Sequence, residues 1–212
     1  GKYVHLGDGN TVMTSDGGWE DNFFSFEYWA GSWDEPQHVM SGDGVALYNV
    51  ADFTHFANMS LKFEMYVPSS NPWNAGGMQI SFMGYDKVTL NGETGGEGKP
   101  VDDSSYDGYV SGPNAFVFNG EGKRNKKEET YGRAIYRPWQ STGTFDTANE
   151  WITVTIPLSS FNLDNKGNAT TNLPNKITDF ASLTMFVVGG GVNGTECKPI
   201  IKIDNIRVVP NK

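Results

Sequence analysis

The chain carries six tryptophans in 212 residues, and several of them stand where the chain turns. Trp29 and Trp33 lie in Tyr28-Trp29-Ala30-Gly31-Ser32-Trp33-Asp34. Trp73 lies in Ser69-Ser70-Asn71-Pro72-Trp73-Asn74-Ala75-Gly76-Gly77, and Trp139 in Tyr136-Arg137-Pro138-Trp139-Gln140-Ser141. An indole held in a turn is expected at the surface, where it is costly in water unless a partner covers it. A pyranose ring is such a partner: its axial C–H groups form an apolar face that stacks on an aromatic ring. Its equatorial hydroxyls then need amide, carboxylate or ammonium neighbours, and Asp34, Asn71, Asn74 and Gln140 are placed to supply them. The competing reading is that each indole folds back over the core. Trp19, after Gly17-Gly18, and Trp151, at the head of a strand, are read that way.

Other chemistry is poorly supported. The three histidines, His5, His38 and His55, form neither an i,i+4 pair nor an HExxH motif, so no zinc site is expected. No GxSxG elbow occurs. The glycine-rich Gly92–Pro100 stretch lacks the phosphate-loop spacing and ends on Pro100 where Ser or Thr is required. Carboxylates are numerous enough that a glycosidase pair is not excluded by counting. However, the Glu-x-Asp-x-Glu run that places three acids on one strand in laminarinase-type sandwich hydrolases is missing, and Glu64 is the sole acid within Leu61–Val67. Asp204 is a candidate calcium ligand or, on the alternative reading, the cap of a bulge. No cofactor is expected.

These groups must be positioned by strands. Leu61–Val67 alternates apolar and polar residues with period two and stops at Pro68. Trp151–Leu158 repeats the pattern, with Ile152, Val154, Ile156 and Leu158 on one side and Trp151, Thr153 and Thr155 on the other. Leu183–Val188 is apolar on both sides, as a central strand should be. After Ile201 and Ile203 the apolar phase flips to Ile206 and Val208, predicting a bulge near Asn205. Met78–Met83 and Ala115–Phe118 also read as strands, and Ile177–Ala181 as a helical turn. Gly84–Asn114 and Asn119–Arg133 read as long polar loops, the second with a mixed-charge run expected to be solvated. Strands spread along the length with turn signals between them predict an all-β fold, an antiparallel β-sandwich, as a single domain over residues 1–212.

Composition agrees. Glycine is abundant at 26 residues, aromatics reach 13% and charged residues only 19%. A net charge of −9 repels phosphate backbones and anionic bilayers, so nucleic acid and membrane surfaces are not expected partners. No apolar run has the length of a membrane span. The lone Cys197 forms no internal disulfide.

The strings Arg137-Pro138-Trp139 and Trp151-Ile152-Thr153-Val154-Thr155-Ile156-Pro157-Leu158-Ser159-Ser160-Phe161, with the closing Ile201-Lys202-Ile203-Asp204-Asn205-Ile206-Arg207-Val208, resemble surface glycan-binding proteins of Bacteroidetes polysaccharide utilisation loci. They are most similar to the C-terminal glycan-binding domain of the second such protein, typified by xyloglucan binders. The resemblance implies a jelly-roll, carbohydrate-binding-module-like sandwich that binds a β-linked glucan or hemicellulose without catalysis. It also implies immunoglobulin-like domains upstream, a lipid anchor at the outer-membrane surface and the company of a glycan transporter. Its aromatic platform is carried over to Trp73 and Trp139; Trp29, Trp33 and Tyr106 are added on local context alone. Two alternatives remain: a sandwich-fold glycoside hydrolase or polysaccharide lyase, and a protein-interaction module.

Overall fold

A computed structural model describes residues 2–13, 23–28, 32–34, 39–41, 45–87, 116–119, 132–164, 167–171, 173–189 and 197–211. Its strands in chain order are β1 (Val4–His5), β2 (Phe23–Tyr28), β3 (Ser32–Asp34), β4 (Val39–Ser41), β5 (Met59–Tyr66) and β6 (Gly77–Lys87). They continue with β7 (Phe116–Asn119), β8 (Ala134–Tyr136), β9 (Ile152–Pro157), β10 (Ser182–Val188) and β11 (Lys202–Pro210). All the pairings are antiparallel.

Two sheets form. The smaller has four strands in the order β1-β11-β5-β9. The larger has seven, running β2-β10-β6-β7-β4-β3, with β8 also on β6. The long β6 makes this possible. One edge pairs with β10 from Gly77 to Met83, and the other is shared between β8 at Met78–Ile80 and β7 at Gly84–Lys87. The polar stretch expected as a loop from Gly84 therefore begins as strand, because β7 supplies ladder partners as far as Lys87. Residues 88–114 of the first expected loop and 120–131 of the second lie outside the described residues, as does Ala115 at the head of an expected strand, while Arg133 at the end of the second loop bridges to Leu163.

The sheets face each other across one apolar core, giving the predicted all-β sandwich. From the small sheet come Leu61, Phe63, Met65, Val154, Ile156 and Ile203; from the large one come Met78, Ile80, Phe82, Leu183, Met185 and Val187. Phe53 stacks on Phe180 at 4.5 Å and meets Phe82 edge-on, closing one end. Period-two alternation in β5 and β9 buries one set of residues and leaves the other on the outer face.

The predicted phase flip in β11 is a real irregularity. Its register on β5 shifts between Asp204 and Arg207. Asn205 takes φ +50°, a conformation Asn tolerates better than most residues. The Asp204 carboxylate accepts a 2.7 Å hydrogen bond from the Asn205 N–H. That is the bulge-capping reading of Asp204, and no cluster of metal-ligating side chains forms among the described residues. The helical turn occurs as a 3₁₀ turn at Ile177–Asp179.

Candidate functional site

The two tryptophans first chosen as a platform are core residues. Trp73 is 1% exposed and Trp139 is 7% exposed. Trp73 is drawn in because its backbone pairs with Phe145 through two 2.8 Å hydrogen bonds. Its indole N–H donates to the Ala75 carbonyl at 2.6 Å. Trp139 sits in the 3₁₀ turn Pro138–Ser141, which turns the ring inward, and its N–H donates to the Gly76 carbonyl at 3.1 Å. The expectation that these turn-held indoles lie at the surface is therefore corrected: the 3₁₀ turn after Arg137 directs Trp139 inward, and a distant carbonyl satisfies its polar edge. Buried Cys197 donates to the same Ala75 carbonyl at 2.9 Å. Burial raises its thiol pKa to about 11, which keeps it protonated and unreactive.

Of the other chosen residues, Trp33 has its backbone in β3, paired with Met40 of β4 on the outermost hairpin of the large sheet. Trp29 and Tyr106 lie outside the described residues, as does Trp19.

Two outward faces remain. On the large sheet, alternation turns Gln79 and Ser81 of β6 and Thr184 of β10 away from the core side, yet all three are buried. Ser81 and Thr184 share a 2.7 Å hydroxyl–hydroxyl bond, and buried Arg133 donates to Gln79 at 2.6 Å. Around these residues the face is polar and closed, whereas towards β2 it carries the half-buried ring of Phe186, 5.6 Å from that of Phe23.

The outer face of the small sheet is different. Trp151, expected to be structural, is 43% exposed, and Tyr3 is 41% exposed. The register explains their meeting. His5 pairs with Lys202, and Lys202 pairs with Tyr66. Trp151 immediately precedes Ile152, which pairs with Met65 and so sets Trp151 beside Tyr66. The Trp151 ring lies 5.8 Å from Tyr3 and 5.7 Å from Tyr66, tilted by 59° and 45°. Lys202 places its ammonium 4.9 Å from the Tyr3 centroid and 5.1 Å from that of Tyr66, within cation–π range. His5 stacks at a tilt on Tyr3 at 5.0 Å.

Two residues along the strands the face becomes polar. Glu64 accepts from Thr153 at 2.9 Å and from Arg207 at 2.9 Å. Glu64 is thus pinned by an ion pair. Among the described residues, the carboxylates with shifted pKa values, Asp8, Asp52 and Asp146, are all lowered. Hydrogen bonds from Thr11, Thr54 and Ser69 respectively are the leading causes. That is the direction expected of a turn-capping carboxylate, opposite to that of a general acid.

Among known proteins, the family model for the surface glycan-binding protein B xyloglucan-binding domain matches residues 1–210. The chain is also similar to the crystal structure of a surface glycan-binding protein, PbSGBP-B, from Prevotella bryantii, at 39% identity and a TM-score of 0.70. That match covers 100% of this chain and 48% of the other, so the chain spans about half the length of the structure it resembles. No curated protein matches. The likeness extends through the whole sandwich, both sheets included, and the chain belongs to the family of surface glycan-binding protein B xyloglucan-binding domains.

Proposed function

We propose that this domain holds a polysaccharide, xyloglucan or another β-linked glucan, at the bacterial cell surface without cleaving it. The observation that carries this is the family match over residues 1–210. Chemistry supports it: three acids aligned on one strand are missing from the sequence, and the net charge of −9 suits a neutral ligand. Since Trp73 and Trp139 offer no ring to solvent, the principal stacking role falls to Trp29, Trp33 and Tyr106, whose settings mix aromatic and polar residues. A few stacked rings at about 1 kcal/mol each, with hydrogen bonds to hydroxyls, correspond to micromolar to millimolar affinity.

Affinity electrophoresis against a panel of plant, algal and fungal glycans tests the reading, with retardation by xyloglucan expected. Retardation by no glycan overturns it. Prolonged incubation with the same panel should release no reducing ends and no ultraviolet-absorbing products. Turnover that disappears when one acid is changed to its amide would instead establish a hydrolase or lyase.

A further inference from the structure

We propose that the outer face of the four-stranded sheet is a second carbohydrate-stacking site, built from Trp151, Tyr3 and Tyr66 and rimmed by Lys202 and His5. Its ligand is a short stretch of a neutral glucan chain. The inference rests on the glycan-binding reading but concerns the small sheet, with none of the residues assigned the principal role.

Three observations support it. First, the rings are not lids on the core. Trp151, Tyr3 and Tyr66 are missing from the core cluster and its packed fringe; the described contacts of these rings are with one another, His5 and Lys202. Large rings exposed to 43% and 41% side by side form an apolar patch on an otherwise polar face.

Second, the rim matches the amphipathy of a sugar. The Lys202 ammonium lies beside two rings, where it can donate to the hydroxyls of a saccharide stacked there. Thr153 and Glu64 sit two residues further along β9 and β5, and Arg207, five residues beyond Lys202 across the β11 bulge, reaches Glu64. The ion pair holds those polar groups in place before ligand arrives, which lowers the ordering cost of binding.

Third, the face is close to charge-balanced in a chain of net charge −9. Lys62, Lys202 and Arg207 stand in the same ladders as Glu64 and Asp204. This composition favours a neutral ligand over a polyanion or a strongly basic surface. A site on each sheet would let one domain grip two stretches of polymer, raising its avidity for polysaccharide over oligosaccharide.

The test uses the whole chain, with a xyloglucan oligosaccharide and xyloglucan polymer as probes. The indole resonance of Trp151 is assigned as the one lost from the Trp151→Phe spectrum. In a Trp29→Ala, Trp33→Ala background, that resonance should move saturably as the oligosaccharide is added. In the wild-type background, Trp151→Ala should weaken polymer binding about fivefold, the equivalent of one stacked ring at about 1 kcal/mol. Tyr3→Ala should weaken it similarly and serves as the second variant if Trp151→Ala melts early. If wild-type chain binds polymer while the Trp151 resonance stays still and both alanine variants bind as wild type, the second site is overturned. A protein neighbour then becomes the better occupant of this face. If wild-type chain binds no glycan at all, the family-level reading fails, and this inference with it.

Discussion

Replacing Trp73 with alanine separates a structural from a ligand-bearing indole most sharply. The ring is 1% exposed and packs within the core cluster, with Tyr136 at 6.3 Å. Removing a buried tryptophan side chain costs about 3–5 kcal/mol, the upper end applying where the site cannot collapse. Collapse is resisted here because Trp73 is held on both sides by its bridge to Phe145. The Ala75 carbonyl loses a 2.6 Å donor but keeps the Cys197 thiol at 2.9 Å, so its desolvation penalty is only partly exposed. A loss of about 4 kcal/mol is expected, and for a domain of this size that lowers Tm by about 8–16 °C. Thermal unfolding followed by circular dichroism, with urea melts for ΔG, measures it. Below the new Tm, glycan retardation should be nearly unchanged. The control is Trp151→Ala, which removes a ring already 43% exposed and should cost under about 1 kcal/mol. The reasoning is refuted if Trp73→Ala melts within 2 °C of wild type, a margin well inside the expected drop of about 8 °C or more, or if it abolishes binding while the fold is intact.

Gly76→Ala should destabilise by about 2 kcal/mol or more, visible in urea melts, because its φ is +74° and a Cβ would fall 2.2 Å from the Val188 carbonyl oxygen. The thiol of Cys197 rises from 9.0 to about 11 in the fold, so the unfolded chain loses that proton first as pH rises. Its contribution is therefore complete below pH 9 and lost towards pH 11; urea melts of wild type and Cys197→Ala across that window should converge as pH rises, and a constant difference would contradict the shift. A double-mutant cycle on Glu64 and Arg207, whose side chains are 24% and 32% exposed, should give a coupling below about 1 kcal/mol, since solvent screens the pair. Asn205→Val at φ +50° should cost about 1–2 kcal/mol, whereas Asn205→Gly should be neutral or stabilising, as read by Tm.

What residue order determined by itself was mostly what period two can carry. The alternations of Leu61–Val67 and Trp151–Leu158 became β5 and β9 with the predicted sides buried. The two-sided Leu183–Val188 run became β10, between β2 and β6. The flip after Ile203 became the register shift in β11. These are local statements, since a strand half-covered by a core must alternate wherever its partners come from. The short strands β3, β4 and β8 had no such signal, because three residues complete barely one period. Direction of the tryptophans was decided by tertiary structure alone. Trp73 and Trp139 stand in turn sequences, yet their indoles point inward. Phe145 pairs with one from 72 positions away, and the Gly76 carbonyl receives the other across 63. Trp151 leads a strand, yet it is exposed, because its companions Tyr3, Tyr66 and Lys202 become neighbours only when β1, β11, β5 and β9 align in that order. Burial is a property of what arrives from elsewhere in the chain, and no window of local residues contains it.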